Sequence, residues 1–397
     1  LFVAVLGNSG SGKTKLLQSL LHKCGTAAVG LGGATASLTS PAGGRAYALA
    51  ERPGDAEGLR RLAAGSFYGD ADAALFVASA APVELEAGLG AEGRTREAAV
   101  LARAMGCERA VVAVTKMDAG ESAYSESRYR VAKESISEVL RAAGFMEEVS
   151  FVPVSAAAGV NLAEGLAPEM AWYVGPTLLQ ALDALPSPER PTHAPLRVTV
   201  REAYHLEGVG AVAVGRVEQG CLRLGAQLQF SPGNASGKVR TIEVDGATVR
   251  EAGPRDEVTF VPEGVEVAAL RRGMVATEAG QPMVEVESFL AHLTVLRGPG
   301  EVRVGYSPVL VYHNAQVVCC IEELVAKLDR RDGARLEERP AALRAGDVGL
   351  VRLRPEQPLA VEPHAACPRL GQFASPPEQT ALALVGVVVE VVPKASG

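Results

Sequence analysis

Gly7-Asn8-Ser9-Gly10-Ser11-Gly12-Lys13-Thr14 limits what this chain can fold into more than any other stretch. It reads G-x-x-x-x-G-K-[ST] and follows directly on the apolar run 1–6. A loop of this kind turns tightly at Gly7 and Gly12 and points its N–H groups inward, where phosphate oxygens accept from them at the start of a helix. Asn8, Ser9, Gly10 and Ser11 complete the cradle. Lys13 reaches the β- and γ-phosphates as a point charge, and the Thr14 hydroxyl is the natural ligand of Mg²⁺. The flanks agree with this reading. Leu1-Phe2-Val3-Ala4-Val5-Leu6 has the unbroken apolar character of a buried parallel strand. Leu16, Leu17, Leu20 and Leu21 then recur at helical spacing. Strand, loop and helix in that order predict a nucleoside triphosphate site.

From 1 to 185, apolar runs alternate with helical segments. The runs 72–78, 110–114 and 150–154 read as strands, and 95–105 and 124–143 as helices, the latter with Ile136, Val139 and Leu140 on one face. That alternation predicts a mostly parallel sheet with helices on both faces. Leu185-Pro186-Ser187-Pro188-Glu189-Arg190-Pro191 then reads as an extended hinge. Beyond it, short strands separated by turns predict antiparallel β-barrels, with Leu196, Val198 and Val200 alternating with Arg197, Thr199 and Arg201. A second break near Gly280-Gln281-Pro282 gives domains at 1–185, 186–281 and 282–397, which suits a length of 397 residues at about 150 residues per domain.

The bulk numbers exclude some classes. A net charge of -7 provides no overall footprint for nucleic acid. No run reaches the roughly 18 apolar residues of a membrane helix, so no membrane association is expected. The six cysteines form no C-x-x-C and no zinc-finger spacing, which points to free thiols in a reducing compartment. The chain begins at Leu1 rather than Met, so a longer natural protein is expected.

Thr115-Lys116-Met117-Asp118, behind the strand 110–114, selects the base. It fits [NT]-K-x-D, in which the Asp carboxylate accepts two hydrogen bonds from guanine N1–H and its 2-amino group. Adenine lacks that donor pair and would leave the carboxylate unsatisfied. Thr115 stands where Asn is commoner, and its hydroxyl can still brace the loop. Ser155-Ala156-Ala157, after the strand ending at 154, resembles the segment whose backbone contacts the guanine oxygen.

These motifs, with Gly93-Arg94-Thr95-Arg96-Glu97, Val214-Gly215-Arg216-Val217-Glu218-Gln219-Gly220 and Gly305-Tyr306-Ser307-Pro308-Val309-Leu310, resemble the translational GTPases, and within them the elongation factor 1-alpha family. The resemblance runs through nearly the whole chain. It implies an α/β P-loop GTPase domain followed by two antiparallel β-barrel domains. It further implies GTP and GDP as ligands with Mg²⁺, and the ribosome, aminoacyl-tRNA and a nucleotide-exchange factor as partners. A cytoplasmic monomer that hydrolyses GTP while delivering aminoacyl-tRNA is the expectation.

Several positions depart from the family pattern. The family's D-x-P-G is Glu51-Arg52-Pro53-Gly54 here, where the Gly54 N–H would touch the γ-phosphate. Glu51 keeps the charge of an Asp that orders a Mg²⁺-bound water, but is one methylene longer. The family histidine that positions the attacking water is Asp55, whose carboxylate sets like charge near phosphate, so slow hydrolysis is expected. The first switch is short and rich in Gly, Ala and Ser. Thr35 is the first candidate for its Mg²⁺-ligating threonine and Thr39 the second, the alternative being a flexible linker with none. Gln372 replaces a family arginine, which with the acidic balance weakens the case for tRNA phosphate contacts. Arg271-Arg272 and Arg330-Arg331 are the local basic pairs, and His205 and His313 read as structural. Two other functions remain open: a release or ribosome-rescue GTPase, and a GTP-binding scaffold that does not hydrolyse.

Overall fold

The computed structural model describes residues 1–24, 35–41, 44–51, 71–90, 94–104, 107, 109–120, 123–145, 149–165, 167–187, 190–297, 300–329, 333–375 and 383–394. They fall into two compact units that divide near residue 188. The first contains β1 (Phe2–Leu6), α1 (Lys13–Lys23), β2 (Thr35–Thr39), β3 (Ala46–Glu51), β4 (Ala73–Ser79), α2 (Pro82–Leu89), α3 (Arg94–Ala104), β5 (Arg109–Thr115), α4 (Glu126–Ala142), β6 (Ser150–Pro153) and α5 (Leu178–Asp183). Their strands form a sheet in the order β2-β3-β1-β4-β5-β6, parallel except for the β2–β3 pair.

Helices cover both faces, which is why β1, β4 and β5 have no polar alternation. Because strand side chains alternate, Val3, Val5, Leu75, Val77, Val111 and Ala113 point to one face. There they pack with Leu16, Leu17, Leu20 and Leu21 of α1 and with Leu178, Leu179 and Leu182 of α5. Each of those leucines is buried, worth roughly 1.5–3 kcal/mol apiece. On α4, Ile136, Val139 and Leu140 are buried as their spacing predicts.

Within the first switch, the described residues 35–39 form a strand, while 25–34 and 42–43 lie outside the described residues. Residues 35–39 pair with β3 as a regular antiparallel ladder, Thr35 opposite Ala50 and Thr39 opposite Ala46. Asp183, at the end of α5, anchors this hairpin. Its carboxylate accepts from the Ser40 hydroxyl at 2.7 Å and from the Tyr47 hydroxyl. Arg45 donates to the Asp183 carbonyl at 3.2 Å. Burial, with the Asp183 carboxylate beside it, raises the Tyr47 phenol far above its ordinary range, so the hairpin is held by a neutral donor.

The second unit holds two antiparallel barrels. The first comprises β7 (Arg197–Leu206), β8 (Gly210–Gln219), β10 (Gln227–Ser231), β11 (Ser236–Val244), β12 (Ala247–Val249), β14 (Glu257–Glu263) and β15 (Val275–Glu278), with β9 (Leu222–Arg223) and β13 (Glu251–Ala252) paired in a separate two-stranded ribbon. It closes because β10 pairs with both β15 and β11. The second comprises β16 (Val286–Arg297), β17 (Val309–Tyr312), β18 (Ala315–Leu328), β19 (Arg335–Glu338), β20 (Val348–Pro355), β21 (Gln372–Ala374) and β22 (Ala383–Pro393). There β17 pairs with both β18 and β21. Closure removes the exposed sheet edges that would invite aggregation.

Alternation along β7 suggests that Arg197 and Thr199 face water, yet both are buried. The second barrel covers that face. Arg197 donates to the Glu362 carboxylate at 2.9 and 2.6 Å, and Thr199 to Glu218 at 2.9 Å. Gln372 is likewise buried and lies 2.9 Å from the His364 ring, a packing role rather than a surface contact. His205 is exposed near the end of β7, whereas burial lowers the His313 imidazole to about 4 and keeps it neutral.

Breaking a buried ion pair from one side strands the other charge, at a cost of about 3 kcal/mol or more. Arg197→Met is therefore expected to lower the urea midpoint of the barrel unit. Pairing it with Glu362→Leu should recover much of the loss. Equal midpoints for the single variant and the unmodified chain would contradict the pairing.

Candidate nucleotide site

The ends of four strands assemble the site. The sequence-predicted residues Gly7 to Thr14 follow β1, Glu51 ends β3, Thr115 ends β5 and leads into Lys116 and Asp118, and Ser155 to Ala157 follow β6. Ligands of open α/β sheets bind at this carboxyl edge. The fold therefore brings together the cradle, the base loop and Glu51. Gly54 and Asp55 lie outside the described residues. The side chain of Thr35 also does, while its backbone opens β2 at the end of the hairpin nearer Glu51.

Gly7 is required sterically. Its φ is 152°, and a Cβ there would lie 2.2 Å from the Val77 carbonyl oxygen of β4. Gly10 and Gly12 adopt φ of 78° and 93°, in the left-handed region that other residues rarely enter. Between them the loop turns back on itself, with the Ser11 N–H donating to the Asn8 carbonyl at 3.2 Å. Ser9 and Gly10 are exposed at the tip. The Lys13 ammonium folds over the loop and donates to the carbonyls of Gly7 and Asn8, each at 2.9 Å. Among the described residues the buried Ser11 hydroxyl oxygen meets no hydrogen-bond partner, which suits a cradle built to hold an anion. At the start of α1, the Thr14 hydroxyl donates to the Glu51 carboxylate at 2.6 Å. That places two oxygen ligands of the kind hard cations take side by side.

The base loop is tied to the phosphate loop. The buried Thr115 hydroxyl lies 2.6 Å from the Ser11 carbonyl and 3.1 Å from that of Ala78. Here threonine does bridge the two loops, as its hydroxyl chemistry allows. Lys116 follows with φ 58°. Met117 is buried and its N–H donates to the Val154 carbonyl at 3.3 Å. Among the described residues, none donates a hydrogen bond to the half-buried Asp118 carboxylate. Asp118 does act on its neighbour Tyr124, whose phenol is raised by burial and then by that negative charge.

The third loop closes the far side. Ser155 is buried and pairs with Val160 as an isolated bridge, and its hydroxyl accepts from the Ala158 N–H at 3.0 Å. The Ser19 hydroxyl of α1 donates to the Ala156 carbonyl at 2.5 Å, while Ala157 is exposed. No motif singles out Glu84, yet it contacts the site directly, its two carboxylate oxygens 2.6 and 2.7 Å from the Lys116 ammonium. Its only sequence signal is an acid in the first turn of a helix beginning with proline.

A sheet whose carboxyl edge carries these loops, followed by two closed barrels, is the architecture of the translational GTPases. Family models match along the chain in order: the elongation factor Tu GTP binding domain over 34–187, elongation factor Tu domain 2 over 210–277, and the GTP-eEF1A C-terminal domain-like model over 288–388. The chain belongs to the elongation factor 1-alpha family. It is 40% identical over 354 residues to elongation factor 1-alpha 1 of Euplotes crassus, covering 89% of this chain and 79% of that one. It is also 40% identical over 329 residues to elongation factor 1-alpha of Desulfurococcus mucosus, covering 83% and 74%. Among solved structures, a bacterial selenocysteine-specific elongation factor EF-Sec shares the fold at TM-score 0.61 and 17% identity, over 98% of this chain and 58% of that one. The class is that of translation elongation GTPases that bind guanine nucleotide. No described helix is long and apolar enough to cross a membrane.

Removing the Thr115 hydroxyl while keeping its shape should loosen the two loops by about 1 kcal/mol. Thr115→Val is expected to weaken binding of a fluorescent GDP by roughly five- to tenfold. Thr115→Ser should stay within about twofold. Equal affinities for Val and the unmodified chain would show that the bridge does not matter.

Proposed function

We propose that the chain binds GTP with Mg²⁺, carries aminoacyl-tRNA to the ribosome in the cytoplasm as a monomer, and hydrolyses the GTP slowly. The observation that supports the nucleotide assignment is the Thr115 bridge, which joins the loop carrying Asp118 to the phosphate loop. In this reading Asp118 accepts from guanine N1–H and the 2-amino group, while the main chain of Ser155, Ala156 and Ala157 faces the guanine oxygen. The N–H groups between Gly7 and Thr14 hold the phosphates, and Lys13 leaves the Gly7 and Asn8 carbonyls for the β- and γ-phosphates.

The paired oxygens of Thr14 and Glu51 fit Mg²⁺, which when bound neutralises charge building on the phosphoryl oxygens. The longer Glu51 side chain reaches the Thr14 hydroxyl directly in this structure. Thr35 suits the switch ligand better than Thr39. Four residues of strand, at about 3.3 Å each, put Thr39 roughly 13 Å further from the Glu51 end. Gly54 would donate its N–H to the γ-phosphate. Asp55 is the residue that would slow the reaction, because a carboxylate repels phosphate and cannot donate a hydrogen bond to orient water as an imidazole does. A nucleotide-exchange factor would complete the cycle.

The second reading, a member that binds GTP without turnover, is favoured by the same Asp55. GTP hydrolysis with and without ribosomes and aminoacyl-tRNA separates the two. Slow, ribosome-stimulated turnover is expected, rising at least tenfold, roughly, in Asp55→His. Tight GTP retention with no stimulated turnover would leave the binding-only member. Ordinary family turnover in the unmodified chain would refute the role given to Asp55.

A further inference from the structure

We propose that Glu84 is the positioning residue of the base loop. Through it, helix α2 sets how long a guanine nucleotide stays bound. This rests on the guanine reading of the site given above.

Lys116 occupies a left-handed backbone position, φ 58°, between two fixed neighbours. On one side Thr115 contacts the Ser11 and Ala78 carbonyls, and on the other the Met117 N–H donates to Val154 and the Met117 carbonyl accepts from Tyr124 at 2.5 Å. The root of the side chain is therefore fixed. The flexible part is the four-carbon stem and its ammonium, which loses much rotamer freedom whenever it is ordered. Glu84 takes up that freedom in advance by holding the ammonium with both carboxylate oxygens, at 2.6 and 2.7 Å.

Glu84 is itself fixed. It lies in the first turn of α2, where a carboxylate meets the positive end of the helix dipole, behind Pro82. Partial burial pushes its carboxyl up, but hydrogen bonds from Lys116 and Ser79 with the Lys116 charge outweigh that and hold it below its usual range. Ser79 ends β4 directly beside Thr115 in the β4–β5 register. Ser79, Glu84, Lys116 and Thr115 thus form one run of contacts along the sheet edge. The same helix rests on the phosphate loop, where a Cβ on Gly88 would lie 3.4 Å from Asn8 Cβ. Helix α2 therefore touches both halves of the site, the phosphate loop at Gly88 and the base loop at Glu84.

About a third of the Lys116 side chain and two fifths of that of Glu84 are exposed, and an exposed pair adds little to fold stability. The contribution expected is preorganisation of a ligand site, where an ordered side chain spares entropy on binding.

The test is Glu84→Gln, with Glu84→Asp and Lys116→Met, in the full chain. Release of fluorescent GDP is followed by stopped flow, alongside the melting temperature without nucleotide. Glu84→Gln should release GDP roughly five- to tenfold faster with an unchanged melting temperature. Glu84→Asp, which keeps the charge, should recover part of the residence time. Adding Glu84→Gln to Lys116→Met should change release little further, because the lysine it positions is gone. Unchanged release in Glu84→Gln, where the unmodified chain binds GDP, would overturn the proposal and leave the guanine reading intact. Release that Glu84→Gln speeds equally with and without Lys116 would overturn it in the same way. Failure of the unmodified chain to bind GDP would overturn both.

Discussion

A single threonine hydroxyl connects the two loops on which the nucleotide site depends. Thr115 ends strand β5 and reaches the Ser11 carbonyl of the phosphate loop. The loops can meet because β1 and β5 flank β4 in one parallel sheet, so that their carboxyl ends lie on the same edge. That closeness requires Gly7, where any side chain would strike the Val77 carbonyl. Helical cover on both faces then makes the sheet rigid enough for loop positions to matter. Geometry at the edge is thus a consequence of apolar packing beneath it.

The parts of the fold that are legible in the sequence are those whose signals are local. Strand β1, the phosphate loop and α1 announce themselves by apolar run, glycine placement and leucine spacing. Strand β3 does not, because Ala46-Tyr47-Ala48-Leu49-Ala50-Glu51 has weak strand propensity and becomes a strand through its pairing with β1. Helix α2 is hidden because Pro82, Gly88 and Gly90 read as loop residues, although Pro82 at its first turn favours a helix start. The burial of Arg197 is illegible for another reason. Its partner Glu362 is 165 residues away, and strand alternation carries no information about which face a distant barrel will cover.

The candidate site divides along the same line. The cradle with Thr14, and Thr115, Lys116, Asp118 and Glu51, are singled out by motifs of fixed spacing, whereas the hydrogen bond from Thr14 to Glu51 is seen only in the structure, which gathers them at one edge. Glu84 carries no motif, and its meaning comes from a contact made across 32 residues. The hairpin of β2 and β3 shows the converse case. The Gly-, Ala- and Ser-rich stretch leaves an ordered switch and a flexible linker both open, and 35–39 is a strand whose hairpin is held by Asp183 and Tyr47, contacts that only the tertiary fold creates.

The central claim is that Asp118, on a loop held by Thr115, reads the guanine base. Its most direct test compares GDP with xanthosine diphosphate on the unmodified chain and on Asp118→Asn. An amide presents a donor where the carboxylate only accepts, so it suits the carbonyl that xanthine has in place of the guanine 2-amino group. The unmodified chain should prefer GDP, and Asp118→Asn should reverse that preference by at least tenfold, roughly. Equal preference in both proteins, or binding of ADP as tight as GDP by the unmodified chain, would contradict the account.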